Sequence, residues 1–296
     1  MKSSMGSIIR VLYILKLFLI LPVISYGQCL PVVAQLREKH AFAQGEKLTY
    51  ILHYKFLGIR TDVGQVDVTL HNGGMLDSIP TLRAVAQGAT YKFWDAFFKV
   101  RDRYESAFFA TDITPFYFER DIYEGGYTIE NYYHWDNETH QINASIVKKE
   151  SVKDTILPGN ECTFDLLTLF YHARNIDFEK LDKGKNYPVS FAIDDEIFNI
   201  YFRYIGKEVV KVPGLGKYNS MKFAAMVVAG EVFTGEEELY VWVSDDYNRI
   251  PLLFQAPIIV GSVYGRLSGW ENISYPFESK VLSASEKRKE KEDGKQ

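Results

Sequence analysis

The sequence predicts a mainly β chain: a large antiparallel curved sheet, or an open or half barrel, with one principal helix over about residues 163–175. Three observations predict it. Period-two alternation recurs along most of the chain, aromatic residues make up 15% of it, and Gly, Asn and Asp pairs punctuate the strands at hairpin spacing. Aromatic side chains favour a pleated, half-buried surface, and alternation sends one set of side chains to each face.

The clearest strand covers residues 46–58. Leu48, Tyr50, Leu52, Tyr54 and Phe56 share one face, and Lys47, Thr49, His53 and Lys55 the other, with Ile51 the exception. Val66, Val68 and Leu70 repeat the pattern, and Asn72-Gly73-Gly74 reads as the next turn. Leu82, Ala84 and Ala86 suggest a third strand with small side chains. Further strands are expected at 99–107, 115–123, 127–135 and 141–149, with Gly125-Gly126 as a hairpin turn. Residues 163–175 contain no Gly or Pro and carry Phe164, Leu167, Leu169, Phe170 and Tyr171, a helix that Asn160 or Thr163 would cap. Strands resume at 187–193, 197–206, 220–229, 238–244, 249–255 and 259–268, with Asp194-Asp195 and Asp245-Asp246 as turns. A join between two β subdomains near 154–160 is the alternative to one continuous sheet.

The first residues read as an export signal. Lys2 and Arg10 precede an apolar run over 11–24 that Tyr13, Lys16 and Pro22 interrupt. The run is short for a bilayer span of about 20 apolar residues. Ser25-Tyr26-Gly27 supplies a small-x-small cleavage pattern, so a signal peptide over 1–27 is expected, cleaved after Gly27. A lipoprotein anchored through Cys29 is the alternative, and the long polar Gln28 argues against it. The mature chain is then periplasmic, with no transmembrane segment. One β-rich domain over 28–280 precedes a charged, disordered tail over 281–296.

Removing Lys2, Arg10 and Lys16 takes the formal net charge from −4 to about −7. That excludes a nucleic-acid partner, whose phosphates need a basic surface. The two cysteines, Cys29 and Cys162, are expected to pair in an oxidising compartment, which would add about 2–4 kcal/mol.

Three motifs carry a family resemblance. Gly45-Glu46-x-Leu48-x-Tyr50 is the first, and Phe164-Asp165-Leu166-Leu167 leading to Tyr171-x-Ala173-Arg174-Asn175 the second. The third is Trp242-Val243-Ser244-Asp245-Asp246 with Arg249-Ile250-Pro251 and Val260-Gly261-Ser262-Val263. In this order they resemble the DUF3108 family of uncharacterised exported bacterial proteins, over nearly all the mature chain. The closing strand pair, with Pro251 and Gly261, is also similar to the half-barrel carriers that shuttle lipoproteins across the periplasm. The first resemblance implies location and fold rather than chemistry.

Candidate sites follow from charge and aromaticity. Six histidines occur without a helical H-E-x-x-H spacing, and no phosphate loop, dinucleotide fingerprint or nucleophile elbow is present. No metal and no cofactor is expected. Arg101 and Arg103 share a strand face with Glu105, Arg174 ends the helix, and Arg249 follows Asp245 in a turn. Their bland readings are Arg174 capping helix carbonyls and Arg249 bridging to Asp245; inside a concave sheet they would instead mark a polar ligand site. Trp94, within Tyr91–Phe98, and Tyr133, beside Tyr132 and Trp135, complete the ligand-binding candidates, since aromatic faces suit lipid chains and sugar rings. Ser78 and Thr155, in Asp-Ser/Thr-apolar triplets expected in loops, are O-glycosylation candidates. Together these features point to binding of a hydrophobic or amphipathic envelope component in a concave sheet. An envelope glycan hydrolase using two facing carboxylates, and an assembly partner of outer-membrane machinery, are the alternatives.

Overall fold

The computed structural model describes residues 39–56, 59–226, 238–257 and 262–282. The expected leader, Cys29 and nearly all of the charged tail lie outside them. Eight strands come first: β1 (Lys47–Phe56), β2 (Ile59–Leu76), β3 (Ile79–Thr90), β4 (Val100–Phe109), β5 (Pro115–Glu124), β6 (Tyr127–Asp136), β7 (Gln141–Lys148) and β8 (Ser151–Pro158). A single helical turn, α1 (Lys92–Asp95), interrupts them between β3 and β4. A two-residue β9 (Thr163–Phe164) leads into the principal helix, α2 (Leu166–Ala173). The second run holds β10 (Asn186–Ile193), β11 (Glu196–Val212), β12 (Gly216–Met226), β13 (Glu238–Ser244), β14 (Pro251–Pro257), β15 (Ser262–Glu271) and β16 (Lys280–Val281).

All sixteen strands belong to one sheet that does not close. β1 sits in its middle, with β2 on one side and β15 on the other. One arm runs from β2 outward to β8, the other from β15 back through β10 to β9. The main path is antiparallel except where β9 runs parallel to β10. Register shifts at Thr49/Tyr50, Leu52/His53, Ala107/Phe108, Tyr204/Gly206 and Trp242/Val243 add local twist and help the sheet curl. The two ends, β8 and β9, are therefore neighbours in sequence yet stand at opposite edges of the hydrogen-bonded ladder.

Side chains bridge the gap between the arms. Arg120 on β5 pairs with Asp194 in the β10–β11 turn. The Tyr133 hydroxyl donates to the Asp194 carbonyl at 2.6 Å. Lys153 on β8 pairs with Asp195, and the Trp135 indole donates to the Thr163 carbonyl at 3.1 Å. Ala192 of β10 packs among Phe118, Ile142 and Ile146 of the other arm.

Three expectations are corrected. The Asn72-Gly73-Gly74 turn is a bulge inside β2, and the hairpin reverses at Asp77 and Ser78, both at positive φ (50° and 68°). Two left-handed central residues match the twist of the flanking strands in a two-residue hairpin. Thr155 lies in edge strand β8, not in a loop. β8 escaped a period-two reading because Val152 and Ile156 are exposed while Leu157 is buried, so no single apolar face repeats. Finally, Asp165 caps α2. Its carboxylate accepts from the Leu167 and Thr168 amides, each at 2.8 Å, and from the Thr168 hydroxyl at 2.6 Å. Thr163 instead pairs its hydroxyl with Ser190 at 2.9 Å, and Asn160 accepts from the Cys162 amide at 2.7 Å.

Candidate functional site

Antiparallel order places the β1–β2, β3–β4 and β5–β6 connections at one end of the sheet and the β2–β3 and β4–β5 connections at the other. The second end is solid. Leu167 and Tyr171 of α2 pack there with Phe42, Phe108, Ile113 and Leu252. Towards the first end the concave face is hollow, with a cavity of about 780 Å³. That volume is within the roughly 300–1,000 Å³ of small-molecule sites.

Small residues make the space. Gly88 on β3 stands between Val66 of β2 and Asp102 of β4. Leu52, Val66, Val68, Ala86 and Val100 supply aliphatic wall. Leu166 and Leu167, in the first turn of α2, form the floor, and Trp94, Phe97 and Phe98 from the β3–β4 connection line the opposite side. Asp102 is the one carboxylate among the described lining residues. Burial, then the neighbouring Glu124 carboxylate, push the Asp102 carboxyl up to about 7. A carboxyl held half-neutral at physiological pH can donate as well as accept a hydrogen bond.

The connection that borders the cavity is fixed by polar contacts. Asp95 takes a bidentate pair from Arg101, at 3.0 and 2.6 Å, and a hydrogen bond from the Thr90 hydroxyl at 2.6 Å. The Val100 amide donates to the Thr90 hydroxyl at 3.0 Å, and the Trp94 indole to the Asp62 carbonyl at 2.9 Å.

The structure scatters the other sequence candidates. On β4, Val100, Asp102 and Tyr104 face the cavity, so Arg101 and Arg103 point the other way. Arg103 joins a ladder on the outer face, pairing with Glu105 and Glu119, while Arg83 pairs with Glu105 at 3.0 Å. Tyr133 is buried against Phe118 and serves the gap between the arms. Ser78 is in the exposed β2–β3 turn, and Thr155 borders a shallower hollow of about 530 Å³ with Tyr132, His134 and Asn143. Arg249 does not bridge to Asp245. It donates to the Ile176 carbonyl at 2.9 Å and stacks 4.5 Å from the Phe178 ring, while Lys207 takes Asp245. Trp94 alone of the proposed ligand contacts lines the cavity. Sequence reasoning missed Gly88 and Asp102; their signal was the small-residue face of β3 and the apolar neighbours of Asp102 on its own face of β4.

Arg174 does not cap its own helix carbonyls. It reaches Glu46 at 2.5 and 2.9 Å, the Ala41 carbonyl at 2.9 Å and the Asn248 carbonyl at 2.9 and 3.1 Å. Asn175 accepts from the Ala41 amide at 3.0 Å. Asp246 accepts from the Ser244 hydroxyl at 2.9 Å and the Asn248 amide at 3.1 Å. Residues from all three sequence motifs therefore meet in one knot at the solid end, away from the cavity.

A family description, protein of unknown function (DUF3108), matches residues 49–268. The chain belongs to the DUF3108 family. This DUF3108 chain is similar in structure to a β-barrel-like protein of the domain of unknown function DUF1849 from Brucella abortus. The two are 9% identical, with a TM-score of 0.53 over 78% of this chain and 99% of the other. A protein with a YmcC-like fold from Bacteroides fragilis is also 9% identical, at a TM-score of 0.34 over 78% and 97% of the two chains. The Brucella likeness concerns the fold alone. No curated protein matches. Among the described residues no three His, Cys, Asp or Glu side chains gather as metal ligands, and no helix is long and apolar enough to cross a membrane.

Proposed function

We propose that this DUF3108 chain is an exported, periplasmic protein that holds the apolar part of an amphipathic envelope component in its concave cavity. The observation that carries the reading is the cavity itself: about 780 Å³ of space, walled by aliphatic and aromatic side chains, with a single carboxyl among its described lining residues. Water gains little from such walls, whereas an acyl chain placed there loses its own apolar exposure. The leader-like residues 1–27 supply the address. A bridge between Cys29 and Cys162 would suit that compartment, and no described cysteine is free.

Native mass spectrometry of the protein purified from its own envelope tests the reading. A bound mass that organic solvent extracts as a lipid-like molecule is the expected result. Protein that carries no adduct and takes up no added fatty acid overturns it. The intact mass also reports cleavage after Gly27 and any glycan on Ser78 or Thr155.

A further inference from the structure

The β3–β4 connection exposes aromatic surface beside the cavity. Phe93 is 69% exposed, Phe97 72% and Phe98 54%. They lie within six residues of one another, with the Phe93 ring edge-to-face with Trp94 at 5.2 Å and tilted against Phe97 at 5.7 Å. A cluster of large apolar side chains left in water marks an interaction site. The hydrogen bonds of Asp95, Thr90 and Trp94 hold this segment in place, so its exposure is built into the fold. Phe97 and Phe98 line the cavity with one side and meet solvent with the other, which makes the patch continuous with the cavity.

Charge selects the partner. Residues 91–101 hold Lys92, Lys99 and Arg101 against one acid, Asp95, in a chain of net charge −4. Arg101 is paired with Asp95, which leaves Lys92 and Lys99 as the segment's surplus. From β2, Asp62 and Asp67 act on Tyr91, but Asp62 is paired with His53 and Arg266, and Glu124 lies beside Asp102. Aromatic residues flanked by lysines suit the boundary between phospholipid headgroups and acyl chains.

We infer that the Tyr91–Phe98 segment docks on an anionic phospholipid bilayer and brings the cavity to the membrane surface. The inference rests on the lipid-binding reading above, and the two fail separately. The test is flotation of the full protein with vesicles of phosphatidylethanolamine and phosphatidylglycerol, paired with titration of a soluble fluorescent fatty acid without vesicles. Phe93 does not line the cavity, so Phe93→Ser should cut flotation about ten-fold and leave fatty-acid affinity within about two-fold. Lys92→Gln should weaken flotation by roughly five-fold, as expected for loss of one basic contact, and vesicles of phosphatidylcholine alone, which lose both lysine contacts, by roughly thirty-fold. Flotation that is absent in the wild type, or unchanged by Phe93→Ser, overturns the docking inference while fatty-acid binding stands. Sedimentation showing a dimer that Phe93→Ser dissolves, without flotation, overturns it in favour of a second copy. Flotation without fatty-acid uptake removes the cavity reading and keeps the membrane patch.

Discussion

Arg174 at the end of α2 and Glu46 before β1 form a bidentate ion pair across 128 residues of sequence, and both side chains are buried. The pair ties the helix to the middle strand of the sheet. Removing one partner would leave the other charge buried without compensation, which typically costs about 3–5 kcal/mol. Glu46→Ala should therefore lower stability by about that amount in urea unfolding. The double variant Glu46→Leu with Arg174→Met should recover part of the loss. Recovery stays incomplete because the Ala41 and Asn248 carbonyls lose their donor as well.

Asp165 joins the helix start to the cavity floor. The Ser106 hydroxyl also donates to its carboxylate, so one buried group serves both β4 and α2. Loss of a cap costs about 0.5–2 kcal/mol, and the stranded donors add to it. Asp165→Ala should lower the unfolding midpoint accordingly. It should also weaken fatty-acid binding, because Leu166 and Leu167 lose their anchor.

Two groups give opposite pH dependences. Burial pushes the His172 imidazole down to about 4. The unfolded chain then binds a proton below pH 6.5 that the folded chain refuses, so stability falls as pH drops from about 6.5 towards 4, by about 3 kcal/mol at most. Asp102 has the reverse sign. Its carboxyl is pushed up to about 7 from 3.8, so the folded chain keeps a proton that the unfolded chain releases. Stability therefore falls as pH rises through that interval, and burial of Asp165 acts in the same direction. Asp102→Asn should expose more of the acid-side loss, whereas His172→Phe should leave a decline towards neutral pH. Unfolding midpoints measured from pH 4 to 7 check both signs.

The gap between the arms depends on Arg120 and Tyr133. Tyr133→Phe removes one hydrogen bond and should cost about 1 kcal/mol. Arg120→Ala strips Asp194 of its partner and frees the buried Asn131 carboxamide, whose oxygen accepts from Arg120 at 2.7 Å. Hydrogen exchange should quicken in β10 and β6 while β1 and β2 stay protected. Lys153→Ala should change little, since the Lys153–Asp195 pair is exposed.

Much of the architecture was legible because alternation is a local property. Tyr127–Asp136 buries Ile129, Asn131 and Tyr133 in step, and the run shows this in the sequence. The cap was misassigned because Asn160, Thr163 and Asp165 all have capping side chains. Only the pairing of Thr163 with Ser190, across 27 residues, removes it from the choice. The site was harder to read. Alternation on β4 separates Arg101, Arg103 and Glu105 from Val100, Asp102 and Tyr104, yet it does not say which set is concave. That depends on how a sixteen-stranded sheet curls. The charges drew attention to the outer face, while the cavity depends on what Ala86 and Gly88 lack. Absent side-chain volume leaves little trace in a sequence.

Gly88→Leu tests the cavity most directly. A Cβ at Gly88 would meet Val66 at 3.6 Å and Asp102 at 3.9 Å, ordinary contacts, so the strand accepts a side chain while the cavity loses volume. In titrations with a fluorescent fatty acid, the wild type should bind one equivalent saturably. Gly88→Leu should bind at least about ten-fold more weakly with its unfolding midpoint preserved. Equal affinity in the two proteins, or no saturable binding in the wild type, would contradict the account.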